Sequence, residues 1–128
     1  MGEGSAIVGV TQVAITVSDV PRAVAFYRDQ LGIPQLPIPA PPTMAFLAAG
    51  DVRLMISQPE PGFAPGGGTV VYYKVADIAG AAAAMKQRGV EFIRDPHVIA
   101  KLPGRDIWLA ELRDPDGNAL ALMSEVTA

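Results

Sequence analysis

Apolar and polar side chains alternate from Val10 to Val17. Val13, Ile15 and Val17 fall on one face, and Gln12, Ala14 and Thr16 on the other. A period of two is that of a half-buried strand. The spacing then changes. Asp19 stands where a helix cap belongs, because its carboxylate can accept the free N–H groups of a first turn, and Pro21 fits that turn. Ala23, Val24, Tyr27 and Leu31 recur at helical spacing, and Gly32 supplies the stop. Pro34 to Pro42 is too rich in proline for a helix and reads as an extended, wandering segment. Met44 to Ala49 and Val52 to Ser57 read as two strands around a short Gly50-Asp51 turn.

Pro59 to Gly68 is rich in Pro and Gly and reads as a linker. Its Gly66-Gly67-Gly68 run lacks the Lys-Ser/Thr ending of a phosphate loop and precedes a strand, not a helix. The plan then repeats. Val70 to Val75 alternates, with Val71, Tyr73 and Val75 on one face and Val70, Tyr72 and Lys74 on the other. Asp77 caps a helix that turns Ile78, Ala81, Ala82 and Met85 inward and ends at Gly89. Glu91 to Ile93 reads as a short strand, and His97 falls in a loop bounded by proline. Ile107 to Leu112 and Ala119 to Glu125 read as the last two strands. Between them Asp114-Pro115-Asp116-Gly117-Asn118 has the chemistry of a turn, which makes Asp114 and Asp116 structural.

The repeat has a fixed step. Val17-Ser18-Asp19-Val20 returns as Val75-Ala76-Asp77-Ile78, 58 residues on, and Leu54-Met55-Ile56 returns as Leu120-Ala121-Leu122, 66 residues on. A repeat of this length is one supersecondary unit used twice. The expected fold is therefore α+β: a single domain over residues 1–128, built of two tandem βαβββ modules that curve into an eight-stranded cleft. Module 1 is expected at about 7–58, the linker at about 59–68 and module 2 at about 69–126.

Composition narrows the function. Half of the 128 residues are hydrophobic and 18% are charged, an ordinary globular balance. The net charge is −3, and the ten basic residues are dispersed, so no nucleic-acid partner is expected. No stretch approaches the ~20 apolar residues of a membrane span, and no secretory signal or myristoylation pattern is evident at the N-terminus. There is no cysteine, which excludes disulfides and thiolate zinc sites and suits a reducing cytoplasmic location.

Several words of the chain resemble the vicinal oxygen chelate superfamily, also known as the glyoxalase/bleomycin-resistance/dioxygenase fold. They are Val17-Ser18-Asp19-Val20, Ala25-Phe26-Tyr27-Arg28-Asp29, Leu31-Gly32-Ile33, Val75-Ala76-Asp77-Ile78, Arg88-Gly89-Val90-Glu91-Phe92 and Asp114-Pro115-Asp116-Gly117-Asn118. The resemblance implies a homodimer. It leaves the reaction open, because one fold serves many functions.

The resemblance also implies where a divalent metal would be held: on the first and last strands of each half, at Gln12, Met55, Val70 and Ala121. Val70 and Ala121 carry no donor atom, and Met55 offers only a soft thioether. No metal or other cofactor is expected. His97 reads as a surface or rim residue. Glu111 reads either as a lone acid in the cleft or as a solvated strand residue on the face opposite Trp108.

The cleft should be lined by Gln12, Ala14, Thr16, Arg53, Met55, Val70, Tyr72, Lys74, Ala121 and Met123, with Phe46 and Trp108 joining if their strand faces allow. The ligand-binding set is Gln12, Phe46, Met55, Val70, Tyr72, Trp108, Ala121 and Met123. This is an apolar cup with a few polar fixtures, suited to sequestering or carrying a small apolar or aromatic molecule. Two enzyme readings stand beside it. One is a metal-dependent lyase or isomerase, or a dioxygenase relative, with its ligands elsewhere. The other is a metal-independent enzyme using Glu111, Tyr72 or Lys74 as acid or base.

Overall fold

The structure is a computed structural model that describes residues 10–59 and 69–127. The Gly66-Gly67-Gly68 linker lies outside the described residues. Two sheets and two helices share one apolar core. The first sheet holds β1 (Gln12–Thr16), β2 (Met44–Ala49) and β3 (Val52–Ser57) in the order β1-β3-β2. The second holds β4 (Val71–Lys74), β5 (Phe92–Leu102), β6 (Arg105–Arg113) and β7 (Ala119–Thr127) in the order β4-β7-β6-β5. In each sheet the first strand runs parallel to the last, and the remaining pairs are antiparallel.

The helices begin as their caps require. The Asp19 carboxylate accepts from Arg22 N ahead of α1 (Val20–Val24), and the Asp77 carboxylate accepts from Gly80 N ahead of α2 (Ile78–Gln87). The first helix departs from simple α spacing. After Val24 the chain widens into a π-helical turn over Ala25–Gln30, where Leu31 N donates to Phe26 O at 3.0 Å. The wider turn buries both Phe26 and Tyr27 along with Leu31. Gly32 and Gly89 follow at φ +84° and +93°, which only glycine adopts without strain, and stop the two helices.

Seven strands form among the described residues, not the expected eight. Where a fourth strand of the first sheet would lie, Gln35 makes a single antiparallel bridge to Leu47. Pro34, Pro37, Pro39, Pro41 and Pro42 lack the N–H donors that a ladder needs. In the second sheet the strand expected at Glu91 to Ile93 extends to Leu102, so His97 lies in β5 and not in a loop. β5 is an edge strand whose pairing with β6 shifts register three times, and such irregularity accommodates Pro96. Val70 precedes β4 instead of opening it.

The core lies on the helix side of both sheets. Ile15, Leu47, Leu54 and Ile56 of the first sheet and Ala110, Leu112, Leu120 and Leu122 of the second meet Val20, Ala23, Tyr27, Ile78 and Met85 there. By alternation the other face of each sheet is free of helix.

Candidate functional site

The edge strands β1 and β4 flank the space between the two sheets. They are not paired with each other, and hollows open between them. The turn joining β6 to β7 closes one end. Asn118 Nδ2 donates to Thr16 O at 2.9 Å, Ser18 N donates to Asp116 Oδ1 at 3.0 Å, and the Tyr27 hydroxyl donates to Asp114 Oδ2 at 2.8 Å. Asp114 is buried and also accepts from Asp116 N, Asn118 N and Asn118 Nδ2. With four donors upon it, this carboxylate is a structural fixture.

Just inside that closure is a cavity of about 130 Å³, lined by Ala14 and Thr16 of β1, Thr69, Val71 and Tyr73 on the β4 side, Tyr27 and Asn118. At the other end is a larger hollow of about 630 Å³. Val13 and Leu54 form one wall, Val71, Tyr73, Val75 and Leu122 the other, and Leu31, Ile33 and Met85 come from the helix ends. Val10, Gly50, Tyr72 and Lys74 are its exposed members and mark where it opens. A third hollow of about 420 Å³ adjoins Tyr72 and Lys74 against Met123 and Glu125. A volume of ~300–1,000 Å³ is typical of small-molecule pockets, and a mostly apolar lining with few polar groups is their usual makeup.

Tyr73 lines both of the first two hollows. Its hydroxyl is buried and has no hydrogen-bond partner among the described residues. Burial, with the Asp114 charge as a smaller contribution, pushes its ionisation well above the ordinary tyrosine range. It is therefore held neutral in the folded protein. Burial and then Asp114 raise Tyr27 in the same direction.

The expected site residues separate into three groups. Gln12, Phe46 and Met55 share the helix-free face of the first sheet. Gln12 Nε2 lies 3.7 Å from Met55 Sδ, and Phe46 and Met55 are directly paired. Tyr72, Ala121 and Met123 share the helix-free face of the second sheet, where Tyr72 pairs with Ala121 and Lys74 with Met123. Val70 lies beside this group, just before β4, and is exposed. Trp108 belongs to neither face. It packs against the core on the side of Ala110 and Leu112, so the structure does not bring it to the other seven.

Of the eight, Tyr72 alone lines the hollow of about 630 Å³. The residues that do line it stand at alternate positions on the same strands, such as Val13 beside Gln12 and Leu54 beside Met55. Their signal in the sequence is that of any core residue. Glu111 pairs with Ala121 across the ladder and meets Arg94 Nε at 3.5 Å. His97 is partly buried, and its Nδ1 lies 2.8 Å from Asp95 O.

The four positions at which the resemblance implies metal ligands do not fit a metal. Val70 and Ala121 lack donor atoms, and the Gln12 carbonyl oxygen already accepts from Arg53 Nε at 2.7 Å. Among the described residues there is also no group of three or more His, Cys, Asp or Glu side chains placed to hold one.

The sequence profile of the Glyoxalase/Bleomycin resistance protein/Dioxygenase superfamily matches residues 9–122. The chain belongs to this superfamily. Solved structures agree with that membership. A superfamily member from Sphaerobacter thermophilus is 25% identical over 92% of this chain and 98% of its own, with a TM-score of 0.72. TnmS3, an antibiotic binding protein from Streptomyces sp. CB03234, is 25% identical over 94% of this chain and 98% of its own, with a TM-score of 0.73. A lactoylglutathione lyase from Agrobacterium tumefaciens shares the fold at 19% identity, covering 91% and 92%, with a TM-score of 0.71. No curated protein matches the chain. Within the superfamily, membership fixes the architecture and leaves the chemistry to the side chains of each member. No helix among the described residues is long and apolar enough to cross a membrane.

Proposed function

We propose that this protein binds a small apolar or aromatic molecule between its two sheets without a metal ion, to sequester or carry it. The observation that carries this reading is the hollow of about 630 Å³ between unpaired edge strands, walled by Val13, Leu54, Val71 and Leu122 and opening at Tyr72 and Lys74. A ligand entering it exchanges water for apolar surface at roughly 25 cal/mol per Å², with no coordination bond needed. The antibiotic-binding relative supports a binding role on this fold.

The reading includes two equivalent βαβββ modules around an eight-stranded cleft, with the segment at Gln35 in the place of the missing strand. Two registers support it. Ala14 pairs with Met55 and Tyr72 with Ala121, so the sequence steps of 58 and 66 carry one ladder onto the other. Homodimer formation and a cytoplasmic location complete the reading. Sedimentation at micromolar concentration giving a 13.4 kDa monomer would remove the dimer.

Native mass spectrometry of the purified protein, with binding repeated after exhaustive chelation, tests the proposal. A co-purifying or added aromatic molecule held equally well before and after chelation is the expected result. Binding lost on chelation and restored by a divalent metal would transfer the protein to the metal-dependent lyase or isomerase class.

A further inference from the structure

β4 is the end strand of its sheet, and it runs parallel to β7 with Tyr72 beside Ala121 and Lys74 beside Met123. Val75 N donates to Met123 O at 3.0 Å. In a parallel ladder the residues of a strand turn their N–H and C=O groups alternately to one side and the other. Val71, Tyr73 and Val75 therefore bond to β7, and Tyr72 and Lys74 turn their backbone groups outward. β1 follows the same rule. Val17 N donates to Ser57 O at 2.9 Å, and Thr16 turns its carbonyl outward, where Asn118 Nδ2 donates to it at 2.9 Å. No hydrogen bond among the described residues takes up the outward groups of Tyr72 and Lys74, and both residues are exposed.

A hollow lies on each face of this edge. The one of about 630 Å³ takes in Val71, Tyr73 and Val75, which share the core face of β4. The one of about 420 Å³ takes in Met123 and Glu125 of β7, on the helix-free face. The two residues that turn their backbone outward, Tyr72 and Lys74, border both hollows. A strand added here would find donors and acceptors two residues apart, about 6.6 Å at 3.3 Å per residue, and would turn successive side chains to opposite faces. One side chain would fall to each hollow. Charge favours one kind of side chain on the helix-free face. Glu125 is held by Arg105 at 3.0 Å, whereas no carboxylate among the described residues pairs with Lys74. An acidic side chain there meets an uncompensated cation.

We infer that the ligand is a short extended peptide, or a peptide-like amide, that adds as a strand to the free edge of β4. Its main chain bonds to Tyr72 and Lys74, with an aromatic or apolar side chain in the larger hollow and an acidic one beside Lys74. Main-chain pairing supplies affinity in this mode, and the pockets for alternate side chains supply selectivity. This inference rests on the ligand-binding reading above and goes further, to the chemical class of the ligand and the way it is held.

The test uses the capped tripeptide acetyl-Glu-Phe-Thr-amide, with naphthalene-2-carboxamide as an aromatic probe too short to pair as a strand. Calorimetry in the presence of chelator should show the tripeptide bound. In amide exchange followed by NMR, the Tyr72 and Lys74 N–H groups should slow by roughly tenfold near saturation, while Tyr73 and Val75, already bonded to β7, change little. N-methylation of the peptide at Phe or at Thr removes one of two successive donors, of which strand alternation turns one toward β4. One of the two methylated peptides should therefore bind roughly tenfold more weakly. Exchanging Glu for Gln in the peptide should weaken binding by about two- to fivefold, as for an exposed ion pair, and equal affinity would remove Lys74 from the site. If the tripeptide binds while Tyr72 and Lys74 exchange as before, or if both methylated peptides bind as the parent peptide does, strand addition is overturned. Protection of these two amides that rises with protein concentration in the absence of peptide would assign the edge to a second copy of the chain and overturn it equally. Naphthalene-2-carboxamide bound and the tripeptide not bound would refute the peptide and leave the ligand-binding reading intact. If neither binds, that reading fails and takes this inference with it.

Discussion

Gln30 and Arg88 clasp each other reciprocally: Gln30 Nε2 donates to Arg88 O at 3.0 Å, and Arg88 Nε donates to Gln30 O at 2.7 Å. The two residues are 58 apart, the same step by which Val17-Ser18-Asp19-Val20 returns as Val75-Ala76-Asp77-Ile78. Their neighbours Leu31 and Met85 line the large hollow, so the clasp ties together the helix ends that close it.

Breaking the clasp should show non-additivity. Gln30→Ala and Arg88→Ala each remove one hydrogen bond made by a side chain and leave the partner's arm without its full setting. A double-mutant cycle by urea unfolding should give a coupling of about 0.5–1.5 kcal/mol. Strict additivity would mean that the two bonds form independently of each other.

The bond from Tyr27 to Asp114 should matter more, because the carboxylate is buried. Tyr27→Phe removes one of four donors to it and should destabilise the fold by about 1.5–3 kcal/mol, the range for hydrogen bonds to charged groups. Asp114→Ala strands all four donors and should cost roughly 3 kcal/mol or more. Urea midpoints of the two variants against the parent measure both. A Tyr27→Phe protein as stable as the parent would contradict the role given to this contact.

The same tyrosine predicts an alkaline limb. Burial and Asp114 hold Tyr27 and Tyr73 protonated in the folded protein, while in the unfolded chain tyrosine ionises near ~10. Above that pH the unfolded state has released protons that the folded state still binds, so stability falls as pH rises. It is fully present below the unfolded value. Unfolding midpoints from pH 8 to 11 should decline in the parent and decline less steeply in Tyr27→Phe.

Much of this architecture was legible in the chain. Strand alternation, the Asp19 and Asp77 caps and the glycine stops are local signals, and each reappears in the structure. Local chemistry could not reveal what depends on a partner strand. The eighth strand fails because proline removes donors from its ladder. β5 runs past Pro96 because an edge strand tolerates bulges. The site was harder to read than the fold. Alternation separates the two faces of a strand but does not say which face borders empty space. Gln12 and Met55 were legible as the helix-free face, while the hollow formed behind their neighbours Val13 and Leu54.

Trp108 and Tyr72 separate the two faces experimentally. Trp108 packs on the core, so Trp108→Ala should lower stability, by up to about 3 kcal/mol for a partly buried aromatic, and leave ligand affinity unchanged. Tyr72 stands at the opening, 56% exposed, so Tyr72→Ala should do the reverse and weaken binding by roughly 1–2 kcal/mol. Calorimetric binding and urea unfolding of both variants check the pair.

The most direct test of the central claim is methyl NMR of the protein with naphthalene-2-carboxylate in the presence of chelator. Saturable shifts of the Val13, Leu54, Val71 and Leu122 methyl resonances are the predicted result, since these side chains wall the hollow between the sheets. If those resonances stay in place, or move only after a divalent metal is added, the metal-free site between β1 and β4 is contradicted.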